Sequence, residues 1–354
     1  MATITLIPGD GIGPEVAEAT RTVVDALGAD IVWEVHQAGV PAIESHGEPM
    51  PSHVIESIKR NRVALKGPVT TPVGRGFRSV NVALRQELDL FASVRPCHLY
   101  PGVPSHFDTV DIVVVRENTE DLYRGIELES STKEAVKLRG FLNYMHGFRL
   151  APDTGLSVKP ISIGATNAIV DFAFEYAKRH RRRRVTLGHK ANIMKFSDGL
   201  WLAEGERMAA EYREVGFEAT QIDELAMSLV YRPEDLDVLV LPNLYGDIIS
   251  DLCAGLVGGL GVAPGMNLGR EFAVFEPTHG SAPDIAGQGI ANPVAMILSA
   301  VLMLRHIGMT SEATRLERAV AVVLAEGKHR TADLRPVGAP ALTKDVAEAI
   351  CSHL

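Results

Sequence analysis

Short apolar runs that end on polar or charged residues recur along this chain and alternate with helical patterns. The run ATITLI at 2–7 predicts a strand, followed by a glycine-rich turn, a helix over about 14–27 and a second strand, IVWEV. The same pattern returns in DIVVV (111–115), VTLGH (185–189) and DVLVL (237–241). Alternating strands and helices indicate an α/β protein, and open parallel sheets place their chemistry at the ends of such strands.

The composition limits the class of protein. The 354 residues are 46% hydrophobic and 22% charged, which is ordinary for a globular protein and sufficient for two domains. Three cysteines without metal-type spacing favour a reducing compartment over a disulfide framework. A net charge of −9 disfavours nucleic acid as a specific partner. No secretory signal precedes the first strand, and the low-charge stretch 252–268 is too short and glycine-rich to span a membrane. We therefore expect a cytoplasmic protein.

The sequence RHRRRR at 179–184 is a basic run in this acidic chain. It lies beside a predicted helix end, where cationic side chains interact favourably with the helix dipole. We interpret it as a solvated run that terminates the helix, and binding of nucleic acid is the alternative.

The stretch 121–162 interrupts the rhythm of strands and helices. It combines charged, aromatic and Pro/Gly-rich segments, and GLSVKPIS within it predicts an extended conformation. We expect an insertion that packs outside the main sheet, on another subunit. Tandem repeats and low-complexity linkers do not occur in the sequence, so a second domain would be interleaved with the first.

The sequence GDGIGPE at 9–15 has some features of the glycine-rich turn of a Rossmann dinucleotide site. The match fails at Pro14, where the pattern requires glycine. Glu15 would lie in the first helical turn, where a pyrophosphate needs unopposed N–H groups. A tight turn with proline at the start of the helix is the favoured interpretation.

Asp247 and Asp251 stand four residues apart in NLYGDIISD, so a helix would place both carboxylates on one face. Like charges at this spacing repel by roughly 0.2–0.5 kcal/mol unless a cation lies between them. A divalent ion that prefers oxygen ligands, Mg²⁺ or Mn²⁺, would remove that cost. The alternative is one capping and one solvated carboxylate.

A second polar cluster begins at RSVNVALR. Asn81 and Arg85 share a helix face, and Ser79 lies near the helix start. Arg95 follows ten residues later in VRP, and Arg116 closes the predicted strand DIVVV. Arginine binds carboxylates bidentately and stays charged, so three arginines at element ends favour a pocket for a multiply anionic ligand. Ordinary ion pairs are the alternative for each arginine taken singly.

Two further segments carry chemistry. Lys190 follows VTLGH and Tyr123 follows DIVVVRENTED; beside a metal and arginines, both would have lowered pKa values suited to proton transfer. Taken alone, each is an ordinary surface residue. The segment FEPTHGSAPDIAG at 275–287 predicts a loop of small residues that wraps a flat ring or approaches phosphates. It leads to a helix beginning near Val294.

These motifs occur in a fixed order over nearly the whole chain, and together they resemble the β-decarboxylating dehydrogenases, the isocitrate/isopropylmalate dehydrogenase family. The resemblance is closest to the bacterial-type isocitrate enzymes. It implies a two-domain α/β fold that is not a Rossmann fold, and a homodimer with shared active sites. The motifs are IPGDGIGPEV, GPVTTPVGRGFRSVNVALRQELDLF, RENTEDLY, HKANIMK, NLYGDIISDLCAGLVGGLG and FEPTHGSAPDIAGQGIANP.

The resemblance also implies roles for the polar residues. Arg85, Arg95 and Arg116 would hold the substrate carboxylates, with Ser79 and Asn81 on the distal one. Asp247 and Asp251 would bind Mg²⁺ or Mn²⁺ with Asp223 of the partner subunit, while Tyr123 and Lys190 of the partner subunit would form the acid/base pair. The residues implied for the cofactor are Thr70, Asn192, Glu276, His279, Gly280, Ser281, Ala282, Asp284, Ile285 and Asn292.

Substrate and cofactor are distinguished by two short segments. Ser79 and Asn81 resemble the isocitrate members, which need polar contacts to a distal carboxylate, whereas isopropylmalate members place apolar residues there. Asp284 and Ile285 favour NAD, because an Asp accepts from a ribose 2′-OH and repels the 2′-phosphate of NADP. We therefore expect an NAD-dependent oxidoreductase that decarboxylates isocitrate to 2-oxoglutarate. Homoisocitrate, isopropylmalate, tartrate or a phosphonate analogue are the alternative substrates, and a silent regulatory subunit is the alternative class.

The domain boundaries follow from the same resemblance. Residues 1–90 and 258–354 would form a large cofactor-binding domain. Residues 91–120 and 163–257 would form a small domain with the dimer interface. The insertion 121–162 resembles the clasp of bacterial isocitrate enzymes.

Overall fold

The computed structural model describes residues 1–71 and 79–354. Its main element is a ten-stranded sheet in the order β2-β1-β3-β12-β11-β4-β5-β10-β8-β9, and a separate two-stranded sheet joins β6 and β7. The strands are β1 (Ala2–Ile7), β2 (Ile31–Val35), β3 (Val63–Lys66), β4 (Ala92–His98), β5 (Asp111–Glu117), β6 (Glu127–Leu128), β7 (Leu156–Ser157), β8 (Arg184–His189), β9 (Gly216–Gln221), β10 (Val238–Leu241), β11 (Pro264–Leu268) and β12 (Ala273–Pro277).

Twelve α-helices accompany these strands in the described part of the chain, and short 3₁₀ turns lie between several elements. The helices are α1 (Gly13–Ala26), α2 (Val40–His46), α3 (Ser52–Asn61), α4 (Val80–Glu87), α5 (Lys133–His146), α6 (Ile163–Arg179), α7 (Ser197–Ala209), α8 (Ile222–Tyr231), α9 (Asn243–Leu256), α10 (Val294–His306), α11 (Thr310–Glu326) and α12 (Thr343–Cys351).

The large sheet consists of two parallel groups joined by antiparallel pairs. Strands β2, β1, β3 and β12 pair in parallel at one end, and β5, β10, β8 and β9 do so at the other. Strand β11 is antiparallel to β12 and to β4, and β4 is antiparallel to β5. The two parallel groups therefore run in opposite directions. We call the β11–β4 pair between them the central seam.

Both faces of this sheet are covered by helices. Along β5, Ile112 and Val114 belong to one apolar cluster, whereas Val113 and Val115 belong to another. This alternation follows from the two-residue repeat of a strand, which sends neighbouring side chains to opposite faces. An uninterrupted apolar run such as DIVVV is therefore buried on both sides, as the sequence indicated.

Helix α10 organises the core of the other half of the sheet. Ten of its residues are buried, including Met296, Leu298 and Leu304. It contacts β11 and β12 on the sheet and α1 and α11 beside it. A helix that is apolar around its whole circumference is stable only when other elements surround it, as they do here.

The predicted strands and helices agree closely with the structure. The predicted helix over 14–27 runs over Gly13–Ala26, and the strand predicted at 237–241 begins one residue later. The turn at 9–15 uses left-handed conformations at Gly9 and Gly11, and Pro14 follows the first helical residue. The prediction of an α/β fold is confirmed.

The insertion 121–162 lies outside the main sheet, as expected. Only Leu156–Ser157 of the predicted extended segment pairs as a strand, with β6 of the same insertion. Helix α5 was not predicted; it begins where the Thr132 hydroxyl accepts a bond from the Ala135 N–H at 3.2 Å. Its surface exposes large apolar side chains, among them Phe141 and Tyr144.

The basic run at 179–184 ends α6, as predicted, but it is only partly solvated. Arg182 is paired with Asp111 at 2.8 Å and with Asp237 at 3.1 Å, and its side chain is 20% exposed. The prediction of a solvated run was therefore wrong for Arg182. The carboxylates of Asp111 on β5 and of Asp237, just before β10, lie beside it.

Within residues 1–71 and 79–354, no helix combines the length and the apolar character that crossing a membrane requires. The three cysteines are free, and Cys97 and Cys253 are buried.

Candidate active site

A polar cavity of about 440 Å³ lies beside the central seam, and we call it the front cavity. Helix α4 contributes Asn81 and Arg85, and β4 contributes Arg95. Strands β11 and β12 complete its floor. The lining residues are Lys66, Pro68, Val69, Thr70, Thr71, Asn81, Arg85, Ser93, Arg95, Gly265, Met266, Asn267, Glu276, Pro277, Thr278, His279, Gly280, Ser281 and Pro283.

The three predicted arginines are all buried. Arg85 and Arg95 are 8% exposed and Arg116 is 1% exposed. Arg95 projects from β4, and Arg116 lies opposite Ser93 on the neighbouring β5. Burial and the charges of Arg85 and Arg95 lower the pKa of Arg116 to about 10. Three buried guanidinium groups, two of which lower the pKa of the third, mark a site for anions.

Helix α9 supplies the opposing charges. Asp251 accepts from Arg95 at 3.1 Å, and Asp247 lies 3.5 Å from the same guanidinium group. Asp247 also accepts from Arg116 and from the Tyr123 hydroxyl. The four-residue spacing therefore places both carboxylates on one face, as predicted, and arginines lie beside them. Neither carboxylate caps α9, so the capping part of the alternative was wrong, whereas Asp251 is 53% exposed to solvent.

The two carboxylates fit a divalent cation. Asp247 and Asp251 side chains are 36% and 53% exposed, so their oxygens are accessible to an ion from the solvent side. Carboxylate oxygens are the donors that Mg²⁺ and Mn²⁺ prefer. Among residues 1–71 and 79–354 of a single chain, no group of three or more His, Cys, Asp or Glu side chains is arranged to hold a metal.

The lowered pKa expected for Tyr123 beside a bound metal stays a prediction. Among the residues of this chain, burial and the bond to Asp247 raise the pKa of Tyr123. The reason is that the hydroxyl donates to a carboxylate, which favours the protonated phenol. Burial would raise the pKa of Asp247, but the Arg116 charge and the Tyr123 bond lower it overall. Burial and the neighbouring Asp247 raise the pKa of Asp251 despite Arg95.

Lys190 and Asp223 form a separate pair in this chain. The Lys190 ammonium donates to Asp223 near the surface, and the Lys190 N–H donates to buried Asp198 at 2.7 Å. Asp198 also accepts from Lys159 at 2.6 Å, which fixes the loop after β8. Asn192 is exposed in the turn that follows. One chain therefore does not bring Lys190, Asp223 or Asn192 to the front cavity.

Sequence reasoning did not identify Lys66. It is 1% exposed at the end of β3, and its ammonium lies 2.7 Å from Glu276 at the end of β12. Asn267 donates to Glu276 at 2.7 Å and Arg85 lies 3.4 Å away. Burial alone would raise the pKa of Glu276, but the Lys66 and Arg85 charges hold it at about 2. The sequence feature that could have revealed this pair is the lysine at the end of the apolar strand VALK, where a buried charge needs a partner.

Two polar atoms in the front cavity point to a ligand. The Asn81 Oδ1 and the Arg85 Nε are buried, and neither has a hydrogen-bond partner within residues 1–71 and 79–354. Buried polar atoms are costly unless something satisfies them. Ser79 lies at the start of α4 without capping it, and its hydroxyl accepts from Thr71 at 3.2 Å. Arg78, which begins the predicted cluster, lies outside the described residues.

The predicted cofactor loop runs along one wall of the front cavity. Thr70, Glu276, His279, Gly280 and Ser281 line it. The Thr70 and Ser281 hydroxyls are 2.7 Å apart. Burial lowers the pKa of His279, and its Nε2 has no partner in the described part of the chain.

Beyond Pro283, which still lines the front cavity, the loop turns away from it. Ala282 has a left-handed backbone, and the following 3₁₀ turn exposes Asp284 and packs Ile285 against the core. Asn292 donates to Asp333 at 2.9 Å and accepts from the Val294 N–H, so it fixes the start of α10.

The glycine turn at 9–15 supports this loop. The Ile12 N–H donates to the Ser281 carbonyl at 2.8 Å, and the Gly289 N–H donates to Glu15 at 2.7 Å. Asp10 accepts from the Thr70 N–H at 2.8 Å. The turn therefore positions the loop. This arrangement agrees with the predicted tight turn at 9–15 and not with a Rossmann phosphate site.

Gly246 on α9 provides a test of how tightly this site is packed. A Cβ at Gly246 would lie 2.5 Å from the Arg116 Cγ, whereas one at Gly255 would meet nothing within 4 Å. We expect Gly246→Ala to lower the free energy of unfolding by about 1–3 kcal/mol, because α9 or Arg116 must move. Gly255→Ala adds the same methyl group to the same helix and should raise it by about 0.5–1 kcal/mol. Urea unfolding of both variants makes the comparison, and equal effects would contradict the packing argument.

Comparisons with known proteins agree with this geometry. The family model described as isocitrate/isopropylmalate dehydrogenase matches residues 3–350. The chain is 46% identical over 353 residues to the mitochondrial NAD isocitrate dehydrogenase catalytic subunit 5 of Arabidopsis thaliana, covering 99% of this chain and 88% of the relative. It is 45% identical to the alpha subunit of the human mitochondrial NAD isocitrate dehydrogenase, covering 99% and 90%.

A solved structure gives the same result for the fold. The isocitrate dehydrogenase of Methylococcus capsulatus superimposes with a TM-score of 0.92 and 46% identity, over 100% of this chain and 99% of that one. The match extends over both parallel groups of the sheet and the insertion. The chain belongs to the isocitrate/isopropylmalate dehydrogenase family.

Proposed function

We propose that this protein is an NAD-dependent isocitrate dehydrogenase, which oxidises isocitrate and decarboxylates it to 2-oxoglutarate and CO₂. The observation that carries the proposal is the set of three buried arginines facing the two carboxylates of α9 across the central seam. The names of the plant, human and Methylococcus relatives agree with it.

The arginines suit a tricarboxylate. Arg95 and Arg116 lie beside Asp247, so they would hold the carboxylates nearest the reacting carbon. Arg85 and Asn81 have unpartnered buried atoms within the described residues, and these would bind the distal carboxylate together with Ser79. An apolar side chain in the substrate would leave these groups unsatisfied, which argues against isopropylmalate.

The carboxylates of Asp247 and Asp251 would hold Mg²⁺ or Mn²⁺ with Asp223 of the partner subunit. A bound metal ion supplies polarisation of the substrate oxygen that becomes the ketone. The Tyr123 hydroxyl, which donates to Asp247, would deliver a proton to the product after CO₂ has left. Lys190 of the partner subunit would remove the proton from the substrate hydroxyl.

Exposed apolar side chains support a homodimer with shared sites. The surface of α8 and α9 exposes Met227, Val230, Tyr231 and Ile248, each more than half exposed. Apolar patches of this kind mark subunit interfaces. The exposed face of α5 would meet the same partner through the clasp-like insertion. Nucleic acid and membranes are not among the proposed partners.

We propose a cytoplasmic location, because the three cysteines are free and free cysteines are typical of a reducing compartment. The mitochondrial names of the plant and human relatives give a different location for those proteins.

The proposed domain division follows the sheet. The strands β1, β2, β3, β11 and β12 fall within 1–90 and 258–354, and the strands β4, β5, β8, β9 and β10 fall within 91–120 and 163–257. The boundary would therefore cross the sheet at the central seam, which carries part of the front cavity on each side.

The cofactor preference is tested at Asp284 and Ile285. The exposed Asp284 carboxylate would accept from the ribose 2′-OH of NAD, and it would repel an added phosphate. We expect Asp284→Lys combined with Ile285→Tyr to shift the ratio of kcat/KM values toward NADP by roughly 100-fold or more. Asp108→Lys, an acidic-to-basic change in the exposed loop between β4 and β5, is the charge-matched control. An unchanged ratio in the double variant would refute the cofactor argument.

The proposed function is tested by a panel of kinetic assays. Purified protein with Mn²⁺ is given isocitrate, homoisocitrate, isopropylmalate, tartrate or a phosphonate analogue of isocitrate, each with NAD or NADP. We expect the highest kcat/KM with isocitrate and NAD. A higher value for any other acid would overturn the substrate, and reduction of neither cofactor by the protein alone would favour a regulatory subunit.

A further inference from the structure

The central seam carries a second cavity of about 740 Å³. Along β11, Gly265 and Asn267 face the front cavity, whereas Pro264 and Leu268 face the second one. The same alternation holds on β4. Because successive side chains of a strand point to opposite faces, the second cavity lies on the reverse side of the same two strands. We call it the back cavity.

The back cavity has an apolar floor and aromatic walls. Met266 and Leu268 of β11 and Leu302 of α10 form part of the floor. Tyr176 on α6 stacks on His180 with a centroid distance of 4.1 Å at one wall. Its volume falls within the range of small-molecule sites, which combine an apolar lining with a few placed polar groups.

Four arginines line the back cavity against three carboxylates, those of Asp111, Glu175 and Glu317, and Glu175 pairs with Lys178 at 3.4 Å. Arg182 and Arg305 are neutralised, by Asp111 at 2.8 Å and by Glu317 at 2.5 Å. Arg179 at the end of α6 and Arg318 on α11 also line the rim, and neither has an ion-pair partner within residues 1–71 and 79–354. Burial and the charges of Arg179, Arg182 and Arg305 lower the pKa of His180, which reflects the positive field there.

We propose that the back cavity binds an amphiphilic organic anion, a molecule with a flat apolar body and a carboxylate, sulfonate or phosphate group. The body would lie on Met266, Leu268 and Leu302, beside Tyr176. The anionic group would meet Arg179 and Arg318, which lie on α6 and α11 on either side of the seam. Met266 lines both cavities, and the other residues named here lie outside the front cavity, so the proposal does not rest on the proposed function.

The probe is 8-anilinonaphthalene-1-sulfonate, an aromatic anion whose fluorescence rises in apolar surroundings. The full chain is titrated with this dye in the presence of saturating NAD, which occupies the nucleotide site. We expect one saturable site per chain. Arg318→Glu should raise the dissociation constant by roughly tenfold or more, because it replaces the anion's cationic partner by a like charge.

Arg315→Glu is the matched control, since Arg315 is an exposed arginine on the same helix that does not line the back cavity. It should leave the dissociation constant within twofold of the wild-type value, on the order of experimental error. Leu302→Glu, which places a like charge in the floor, should abolish binding while thermal unfolding confirms that the chain is folded. The proposal is overturned if the dye shows no saturable binding with NAD present, or if Arg318→Glu and Arg315→Glu weaken it equally.

Discussion

Asp251→Asn is expected to reduce metal-dependent turnover by on the order of 10³-fold. Asp251 is one of two carboxylates that α9 offers to a divalent ion, and an amide in its place carries no charge. A bound metal is worth several kcal/mol of transition-state stabilisation, and each 1.4 kcal/mol corresponds to about a factor of ten. The measurement is kcat/KM for isocitrate as Mn²⁺ is varied, together with the dissociation constant for Mn²⁺.

The same substitution should leave the fold intact. The Asp251 side chain is 53% exposed, and Arg95 keeps its bond to Ser250 at 2.6 Å, so unfolding should change by less than about 1 kcal/mol. Asp108→Asn, in an exposed loop between β4 and β5, is the matched control and should retain full activity. Full turnover of the Asp251 variant would refute the metal assignment.

Glu276→Ala is expected to lower the free energy of unfolding by about 3–5 kcal/mol. Removing this carboxylate leaves the ammonium of Lys66, only 1% exposed, without its partner at 2.7 Å. An isolated buried charge is far more costly than the pair from which it came. Urea unfolding measures the change.

Glu271→Ala is the control for that variant. Glu271 precedes β12 and pairs with Arg62 at 2.5 Å, but both side chains are more than half exposed. The same truncation there should cost less than about 1 kcal/mol, because solvent screens a surface pair. Equal losses at the two positions would show that the buried pair does not stabilise the fold.

Glu276 also predicts a pH dependence of stability. Its pKa in the folded chain is about 2, below its ordinary value of 4.5. A carboxyl with a depressed pKa stabilises the fold fully above its ordinary value, and that contribution is lost as the pH falls toward the folded value. Between about pH 5 and about pH 3, the wild type should therefore lose more stability than Glu276→Gln, whose side chain does not titrate. Parallel curves for the two proteins would contradict this.

Much of the site could be predicted because its signals are local. The spacing of Asp247 and Asp251 implies a shared helix face wherever α9 lies, and the structure has them there. DIVVV shows a strand buried on both faces by composition alone. Residue spacing describes single segments only. The order of the motifs along the chain indicated which separated segments form one site. The three arginines were therefore assigned to one anion site before any contact was known.

Other features depended on contacts between distant segments. Lys66 and Glu276 are far apart in sequence, and only the parallel pairing of β3 with β12 brings their ends together. No sequence pattern reveals that the Tyr123 hydroxyl donates to Asp247, a bond that raises the pKa of Tyr123 within this chain. Helix α5 was missed because the mixed composition of the insertion obscures its periodicity.

The sequence by itself determined the alternation of strands and helices, the family and the residues available for the chemistry, because propensity, spacing and motif order are properties of the chain. Only the tertiary structure decided that the two parallel groups run in opposite directions and meet at the central seam. It also decided that Lys190 and Asp223 lie apart from Asp247 within one chain. Strand pairing and charge placement depend on which distant segments pack together, and local patterns do not encode that choice.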